Sequence, residues 1–347
     1  MSEGAEVIAR VEGRLGRLTL NRPRALHALT TNMCRLMTEA MNCWRDDKSV
    51  VAVLIDHAGP RGFCAGGDVR QVSEGDRAGA ADFFSAEYPL NALIHDYPKP
   101  YIAIIDGVTM GGGVGISIHG AYRVATERTL WAMPETGLGL FPDVGGGWFL
   151  PRLRGRLGVY LALTGARLGA ADCFYAGLAT HVSAAAKLDA LKAALVAAPH
   201  ASAIPLILDG FHDRPAAAPL MKHQGEIDRL FASDRAEDIF AALAAEASDW
   251  ARAELANLRT KSPQTIKVSL RQLYEGARMV SFAENMKMEY RLALRITALP
   301  DFREGVRALL IDKDNAPRWR PPTLEAVTED MLEAIFAPLQ PDEELRL

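Results

Sequence analysis

Two kinds of hydrophobic periodicity mark the beginning of the chain. Residues 7–11 and 15–20 alternate between apolar and polar side chains on either side of Gly13, which predicts a hairpin of two strands. From residue 33 to residue 44, apolar side chains recur every three or four positions, so this segment is predicted to be a helix with one buried face. Thr30 stands where the N-cap of that helix belongs.

Continuous apolar runs and helical stretches alternate through the next part of the chain. An unbroken apolar run is typical of a strand that is covered on both faces of its sheet. The predicted strands are Val50–Ile55, Tyr101–Ile105, Tyr122–Ala125 and Leu130–Ala132, and the predicted helices between them are Ala81–His95 and Gly112–Gly120. This alternation favours an α/β architecture with crossover connections.

Helical periodicity dominates after residue 183. The predicted helices are Lys187–Ala198, Glu226–Phe231, Ala236–Leu255, Ser262–Gly276, Phe282–Ile296 and Asp301–Leu310. Ser262 followed by Pro263 is a favourable N-cap and first turn. The segment 199–222 contains four prolines and is predicted to be a loop at a boundary. We therefore expect an α/β core over residues 1–195 and a mostly helical region over residues 196–347.

Composition and charge restrict the function. The chain has 347 residues and a formal net charge of −4, without the basic face that a nucleic-acid partner requires. The apolar stretch 101–118 is interrupted by Asp106 and five glycines, so it is predicted to be a buried strand and turn, with no membrane association. The four cysteines are scattered and the N-terminal residues resemble no targeting segment, from which we expect a reducing, cytoplasmic location.

Three glycine-rich turns follow or precede predicted strands, at residues 62–69, 107–115 and 142–147. Glycine allows a ligand to approach the backbone, and a strand that ends at a helix start leaves backbone N–H groups free. Two such N–H groups could form an oxyanion hole for a thioester carbonyl. Each turn could equally be a tight turn or a helix start and nothing more. No phosphate-binding glycine signature is present, so nucleotide cofactors are unsupported.

Other catalytic signatures are also absent. Residues 115–119 approach the nucleophile elbow of serine hydrolases, but the closing glycine is missing, and Ser117 is expected to pack or bond locally. The eight histidines show no paired metal-ligand spacing, so we expect no metal site.

Two carboxylates lie among apolar residues near the third glycine turn. Glu135 follows a predicted strand, and Asp143 lies in the turn itself. Their apolar sequence neighbours are Leu138, Leu140, Phe141, Val144, Trp148 and Phe149. Such surroundings raise carboxyl pKa values and are typical of general acids and bases. An N-cap role for Asp143 and a surface salt bridge for Glu135 are equally compatible with the spacing.

At these residues the chain resembles the crotonase (enoyl-CoA hydratase/isomerase) superfamily. The resemblance is carried by Phe63-Cys64-Ala65-Gly66-Gly67-Asp68, by the segment 106–113 and by Met133-Pro134-Glu135. The blocks MPETGLGLFPDVGGGWFLPRL and DFREGVRALLIDKDNAPRW resemble the 3-hydroxyisobutyryl-CoA hydrolase branch, and the similarity extends to about residue 336. The resemblance implies a spiral of ββα units with a helical C-terminal region and an extended cleft for a CoA thioester.

The resemblance also implies roles for individual residues. The N–H groups of Gly67 and Gly112 would form the oxyanion hole, Glu135 and Asp143 would be the catalytic carboxylates, and Glu87 would lie near the acyl group. The other implied substrate-binding residues are Leu26, Ala28, Ala65, Gly66, Asp68 and Gly111. No cofactor is implied, since coenzyme A is part of the substrate, and relatives often form trimers or hexamers.

Two departures from the hydratases favour hydrolysis of a short 3-hydroxyacyl-CoA. Gly115 occupies the position of the second hydratase glutamate, and Asp143 replaces a small residue. Moving a carboxylate in this way disfavours hydration and leaves a site that can activate water at the thioester carbonyl. The alternatives are an enoyl-CoA hydratase or isomerase and an acyl-CoA-binding protein without activity.

Overall fold

The structure is a computed structural model that describes residues 5–347. It separates into two compact units, and each is assembled from three stretches of the chain. The first comprises the chain through Gly67, Pro89–Ala132 and Arg167–Met221, and the second comprises Asp68–Tyr88, Met133–Ala166 and Lys222–Leu347. The division at residue 195 that the sequence suggests stays a prediction.

The first unit contains two sheets. The strands, in chain order, are β1 (Val7–Glu12), β2 (Leu15–Leu20), β3 (Ala52–His57), β4 (Gly62–Cys64), β5 (Tyr101–Ile105), β6 (Val108–Met110), β7 (Tyr122–Ala125), β8 (Leu130–Ala132) and β9 (His181–Val182). Six of them form a sheet in the order β1-β2-β3-β5-β7-β9, and β4-β6-β8 form the smaller one. The predicted hairpin is confirmed, since β1 pairs antiparallel with β2, and the other neighbouring strands run parallel.

Helices cover the larger sheet and explain its unbroken apolar strands. Alternate residues of β3 and β5, such as Leu54 and Ile104, are buried against the helices Leu188–Val196 and Ile204–Gly210. The residues between them, such as Ile55, are also fully buried, as expected for a strand with both faces covered. The α/β class predicted from the sequence is therefore confirmed.

The remaining helices of the first unit connect these strands. They are Thr31–Arg45, Gly112–Ile118 and Ala170–Ala176, and the helix Arg77–His95 contributes its last residues, from Pro89 onward. Thr30 is the predicted N-cap, and its hydroxyl accepts from the Met33 N–H over 3.1 Å. Ser117 bonds locally as expected, because its hydroxyl donates to the Gly113 carbonyl over 2.8 Å.

The second unit is helical. Besides residues 77–88 of the helix Arg77–His95, it contains Val69–Glu74, Gly146–Phe149, Leu157–Thr164, Gln224–Leu230, Ala236–Ala245, Asp249–Leu258, Pro263–Arg278, Phe282–Ile296, Pro300–Val306 and Glu329–Phe336. Within residues 5–347, no helix is both long enough and apolar enough to span a bilayer.

Two sequence predictions about helices are wrong. The single helix predicted over 236–255 is two helices, because the chain becomes extended at Glu246 and Ser248 caps a new helix by accepting from the Ala251 N–H over 3.1 Å. The predicted loop 199–222 contains the helix Ile204–Gly210. Pro205 does not prevent this helix, because it lies in the first turn, where a helix tolerates proline.

Candidate active site

Four carboxyl groups are buried close together in the second unit. Glu87 lies on the helix Arg77–His95, Glu135 begins a short 3₁₀ turn, Asp143 lies in the loop before the helix Gly146–Phe149, and Glu289 lies on the helix Phe282–Ile296. Their exposed fractions are 1%, 3%, 5% and 0%, respectively. Buried carboxyl groups without compensating cations are costly, so such a cluster points to function.

Glu135 lies in a short turn, and its side chain is buried away from solvent. Its backbone carbonyl accepts from the Leu140 N–H over 3.0 Å, which closes the turn that carries the residue. One carboxyl oxygen, Oε2, is buried and has no hydrogen-bond partner among residues 5–347. The surface salt bridge that the sequence left open for Glu135 is therefore excluded.

Asp143 is bonded through its side chain to an aromatic hydroxyl. Tyr88 Oη donates to Asp143 Oδ2 over 2.8 Å, and both side chains are buried. The following helix has Gly145 at its N-cap position, so the N-cap role that the spacing allowed for Asp143 is not what the fold uses. The carboxylate is instead presented inside the unit, next to Glu87 and Glu135.

Burial raises the pKa of every carboxyl group in the cluster. For Glu135 burial is the largest cause and the charge of Asp143 adds to it, so its pKa lies well above the usual range. Burial raises the pKa of Asp143 to about 6, although the Tyr88 hydroxyl lowers it, and burial raises the pKa of Glu289 to about 7. The pKa of Glu87 is raised by burial and then by its three acidic neighbours. Carboxyl groups of this kind can exchange protons near neutral pH.

The first two glycine turns lie against each other in the first unit. A Cβ added to Gly66 would lie 3.4 Å from the Met110 carbonyl oxygen and 3.8 Å from the Gly112 nitrogen. Gly66 has a φ of +114° and Gly111 a φ of +48°, conformations that favour glycine. No backbone hydrogen bond is donated by the N–H of Gly67 or of Gly112 within the described chain. Both N–H groups are thus available to an acceptor, as an oxyanion hole requires.

Most of the remaining predicted substrate-binding residues lie in two neighbouring segments of the first unit. The Ala65 N–H donates to the Leu26 carbonyl over 3.0 Å, which lays residues 26–29 alongside 65–67. Ala28 lies in that segment, and its carbonyl accepts from Arg22 Nη1 over 2.5 Å. Asp68 belongs to the second unit, at the start of the helix Val69–Glu74.

Sequence reasoning missed Tyr88 and Glu289. Tyr88 follows the predicted Glu87 directly, and its bond to Asp143 joins positions 55 residues apart. Glu289 could have been found from its spacing, because it lies on the same helical stripe as the buried Phe282, Met286 and Ala293. A glutamate on an apolar stripe is unusual unless it has partners inside the protein.

The chain belongs to the enoyl-CoA hydratase/isomerase family, whose family profile matches residues 15–336. The fold agrees with the crotonase-type architecture that the sequence resembled. Membership implies an acyl-CoA substrate.

Curated relatives match nearly the whole chain. A protein from Xenopus tropicalis is 47% identical over 94% of this chain and 87% of its own length, and one from Danio rerio is 46% identical over 97% and 90%. A human protein is 44% identical over 96% of this chain and 89% of its own length. Each is named "3-hydroxyisobutyryl-CoA hydrolase, mitochondrial".

Solved structures share the fold. One from Mycobacterium thermoresistibile, titled a carnitinyl-CoA dehydratase, has a TM-score of 0.93 and 41% identity, with 99% of both chains covered. One from Rhodobacter sphaeroides, titled an enoyl-CoA hydratase, has a TM-score of 0.89 and 39% identity, with 99% of this chain and 100% of that chain covered. The crotonase-type fold predicted from the sequence is confirmed.

The cytoplasmic location expected from the sequence is contradicted by the curated relatives, which are named as mitochondrial proteins. The expectation rested on the composition of a few N-terminal residues and on scattered cysteines. Neither is fixed by the physics of the fold, since a compartment is specified by signals that cellular machinery reads.

Proposed function

We propose that this protein hydrolyses 3-hydroxyisobutyryl-CoA to 3-hydroxyisobutyrate and free coenzyme A, a step of valine breakdown. Water supplies the hydroxyl of the new carboxylic acid and the proton of the released thiol, so no oxidant or second substrate is needed. The curated relatives are named for this reaction at 44–47% identity. The acidic site of the second unit is suited to it, because thioester hydrolysis needs proton transfer at neutral pH.

One observation carries the proposal. Glu87 Oε1 and Glu135 Oε2 are buried oxygens without hydrogen-bond partners among the described residues. A buried polar atom left unpaired costs about 1–3 kcal/mol, and a ligand that bonds such an atom removes that cost. Both belong to residues for which the family resemblance implies a role, Glu87 near the acyl group and Glu135 in catalysis. A substrate with a 3-hydroxyl group offers the O–H donor that an unpaired carboxylate oxygen lacks.

We assign the chemistry at the thioester to Glu135 and Asp143. A carboxylate can attack the carbonyl carbon directly, or it can take a proton from the attacking water. Burial raises the pKa of Asp143 to about 6 and that of Glu135 well above its usual range, while the Tyr88 hydroxyl acts to lower the pKa of Asp143. Different proton affinities allow one carboxyl group to accept a proton while the other donates one to the leaving thiolate.

In the first unit, we assign the thioester oxygen to the N–H groups of Gly67 and Gly112. Neither N–H donates a backbone hydrogen bond within the described chain, and each belongs to one of the first two glycine turns. We place the coenzyme A moiety along residues 24–28 and 65–68, with Gly111 as a further substrate-binding residue. No cofactor beyond the substrate's own coenzyme A is required. We also propose that the protein forms a homo-oligomer, either a trimer or a hexamer. Its mass in solution, measured by light scattering, tests this.

The test is release of free thiol from 3-hydroxyisobutyryl-CoA in a buffer that contains EDTA. We expect turnover by the wild type, and a loss of at least about 10²-fold in Glu135→Ala and in Asp143→Asn, since each removes a proton-transferring group. Glu254→Gln is the control, because Glu254 is a half-buried carboxyl group of the second unit that bonds Tyr160 instead of the cluster. Near-wild-type turnover in both variants would contradict the assignment.

Crotonyl-CoA hydration, followed in parallel, tests the alternative. The titles of the two similar solved structures name a dehydratase and a hydratase, so this activity is the relevant competitor. Gly115 lacks the carboxylate that the hydratases carry there, and we expect negligible hydration. Hydration without thiol release would favour the hydratase, and tight binding of acyl-CoA without turnover would favour a binding protein.

A further inference from the structure

The loop that carries Asp143 has a strained backbone. We call residues 142–147 the Asp143 loop. Within it, Val144 has a φ of +51° and Gly145 a φ of +90°. A β-branched residue rarely adopts a positive φ, because its side chain clashes with the backbone. Such a conformation persists only when surrounding groups hold it, and it is typical of functional sites.

Glu289 supplies the groups that hold this loop. Its carboxylate accepts from the Gly145 N–H over 2.7 Å and from the Gly147 N–H over 2.9 Å. It also accepts from Asn285 Nδ2 over 2.9 Å and from Gln272 Nε2 over 3.0 Å. All four bonds are buried, so water cannot substitute for any of them.

The loop is held on both sides of Asp143. Gln272 Nε2, besides bonding Glu289, donates to the Pro142 carbonyl over 2.8 Å. Close packing tightens the arrangement, since a Cβ added to Gly147 would lie 2.6 Å from Asn285 Oδ1. The backbone before Asp143 is therefore bound by Gln272 and the backbone after it by Glu289, and these two buried side chains are bonded to each other.

The four partners of Glu289 are all donors, which requires both of its oxygens to be acceptors. Oε2 accepts from Gly145, and Oε1 accepts from Gly147, Asn285 and Gln272. A glutamine at position 289 would present an amide N–H to at least one donor. The side chain at position 289 would keep its shape, but at least one of its hydrogen bonds would be lost.

We propose that Glu289 is a positioning residue that fixes the strained Asp143 loop and thereby sets the placement of the Asp143 carboxylate. Glu289 acts through the backbone, because the Asp143 side chain is bonded by Tyr88. The inference rests on the proposed role of Asp143 in thioester hydrolysis. The hydrogen bonds between Glu289 and the Asp143 loop do not depend on that role.

The first measurement is steady-state thiol release by Glu289→Gln. Misplacement of a catalytic group by about 1 Å can cost about 10²-fold in rate. We therefore expect kcat to fall by at least about 30-fold while KM changes by less than about 3-fold, because substrate contacts are kept. Glu254→Gln removes a carboxylate from the same unit without touching the loop and should keep kcat within about 2-fold.

A double-mutant cycle separates positioning from a general structural effect. In the Asp143→Asn background, Glu289→Gln should change the residual rate by less than about 3-fold, because residues that act as one unit are not additive. Equal losses in both backgrounds would overturn the proposal, as would wild-type kcat in Glu289→Gln. Should Glu289→Gln fail to fold, Gln272→Met removes the bond to Pro142 and the bond that ties Gln272 to Glu289. A folded variant with unaltered kcat would overturn the proposal.

Hydrogen–deuterium exchange measures the protection of the backbone amides of the Asp143 loop, independently of turnover. We expect the peptide covering residues 142–149 to exchange at least about 10-fold faster in Glu289→Gln, since at least one of the Gly145 and Gly147 amides loses its acceptor. Glu254→Gln should leave that peptide protected. A wild type that releases no thiol would contradict the proposed function, and unaltered protection in Glu289→Gln would then overturn the positioning role separately.

Discussion

The acidity of Asp143 depends in part on one neighbouring hydroxyl group. Burial raises the pKa of Asp143 to about 6, and the hydrogen bond from Tyr88 lowers it against that effect. In Tyr88→Phe the lowering effect is lost, so the pKa of Asp143 should rise further. If ionised Asp143 is the active form, activity falls as pH drops through this pKa. The acidic limb of the kcat/KM profile for thiol release should therefore move to higher pH.

Tyr160→Phe is the matched control for this prediction. The Tyr160 hydroxyl donates to Glu254 over 3.0 Å, so the same atom is deleted at a carboxyl group outside the cluster. Its pH profile should coincide with that of the wild type. An acidic limb that stays in place in Tyr88→Phe would show that Asp143 does not govern it.

Residues of the site were predictable where their signal is local. Glu135 and Asp143 stand in an apolar segment only a few residues long, and both are buried as that segment predicts. The bonds of Glu289 to Gly145 and Gly147 join positions 144 and 142 residues apart. No local pattern encodes a pairing over such a distance, because it is created only when helices pack.

Among the elements, the helix Pro263–Arg278 has the most consequential cap, since this helix carries Gln272. Ser262 Oγ accepts from the Thr265 N–H over 3.2 Å and donates to Asp301 Oδ2 over 2.7 Å, and all three groups are buried. Ser262→Ala removes the cap and leaves a buried carboxylate with one partner fewer. We expect the free energy of unfolding, measured in urea, to fall by about 1–3 kcal/mol.

Ser281→Ala on the neighbouring helix Phe282–Ile296 is the comparison. Ser281 Oγ also caps its helix, but it accepts from Glu284 over 3.4 Å at an exposed position. Its removal should cost less than about 1 kcal/mol. Equal losses in the two variants would mean that the buried bond to Asp301 contributes nothing beyond the cap.

Elements were predicted well where hydrophobic period and caps coincide. The strands β5, β7 and β8 have the predicted bounds, and Thr30 and Ser262 are the caps that the sequence indicated. The split of the predicted helix 236–255 was missed, because its many alanines fit a helix throughout and hide the break. The N-cap signal at Ser248 was present in the sequence, but it competes with that uniform helical propensity.

For the whole molecule, the cluster of buried acids makes stability depend on pH. Asp143 and Glu289 have folded pKa values of about 6 and about 7, above their usual values. The folded chain therefore binds more protons than the unfolded chain over this interval. The stabilising effect of protonation is complete below about pH 4 and is lost as pH rises through the folded values. Ionising the site at neutral pH thus lowers the stability of the protein.

Asp143→Asn should therefore stabilise the protein at neutral pH while it lowers turnover by at least about 10²-fold. Relative to the wild type, we expect the free energy of unfolding in urea to be higher by about 1–3 kcal/mol at pH 8 and to differ little at pH 4. The comparison must be a difference between variants, because His57, whose pKa is lowered by burial to about 4, makes the wild type less stable as pH falls. That contribution is common to both proteins and cancels. A stability difference that is the same at both pH values would contradict the raised pKa of Asp143, since asparagine and aspartate differ in charge only where the aspartate is ionised.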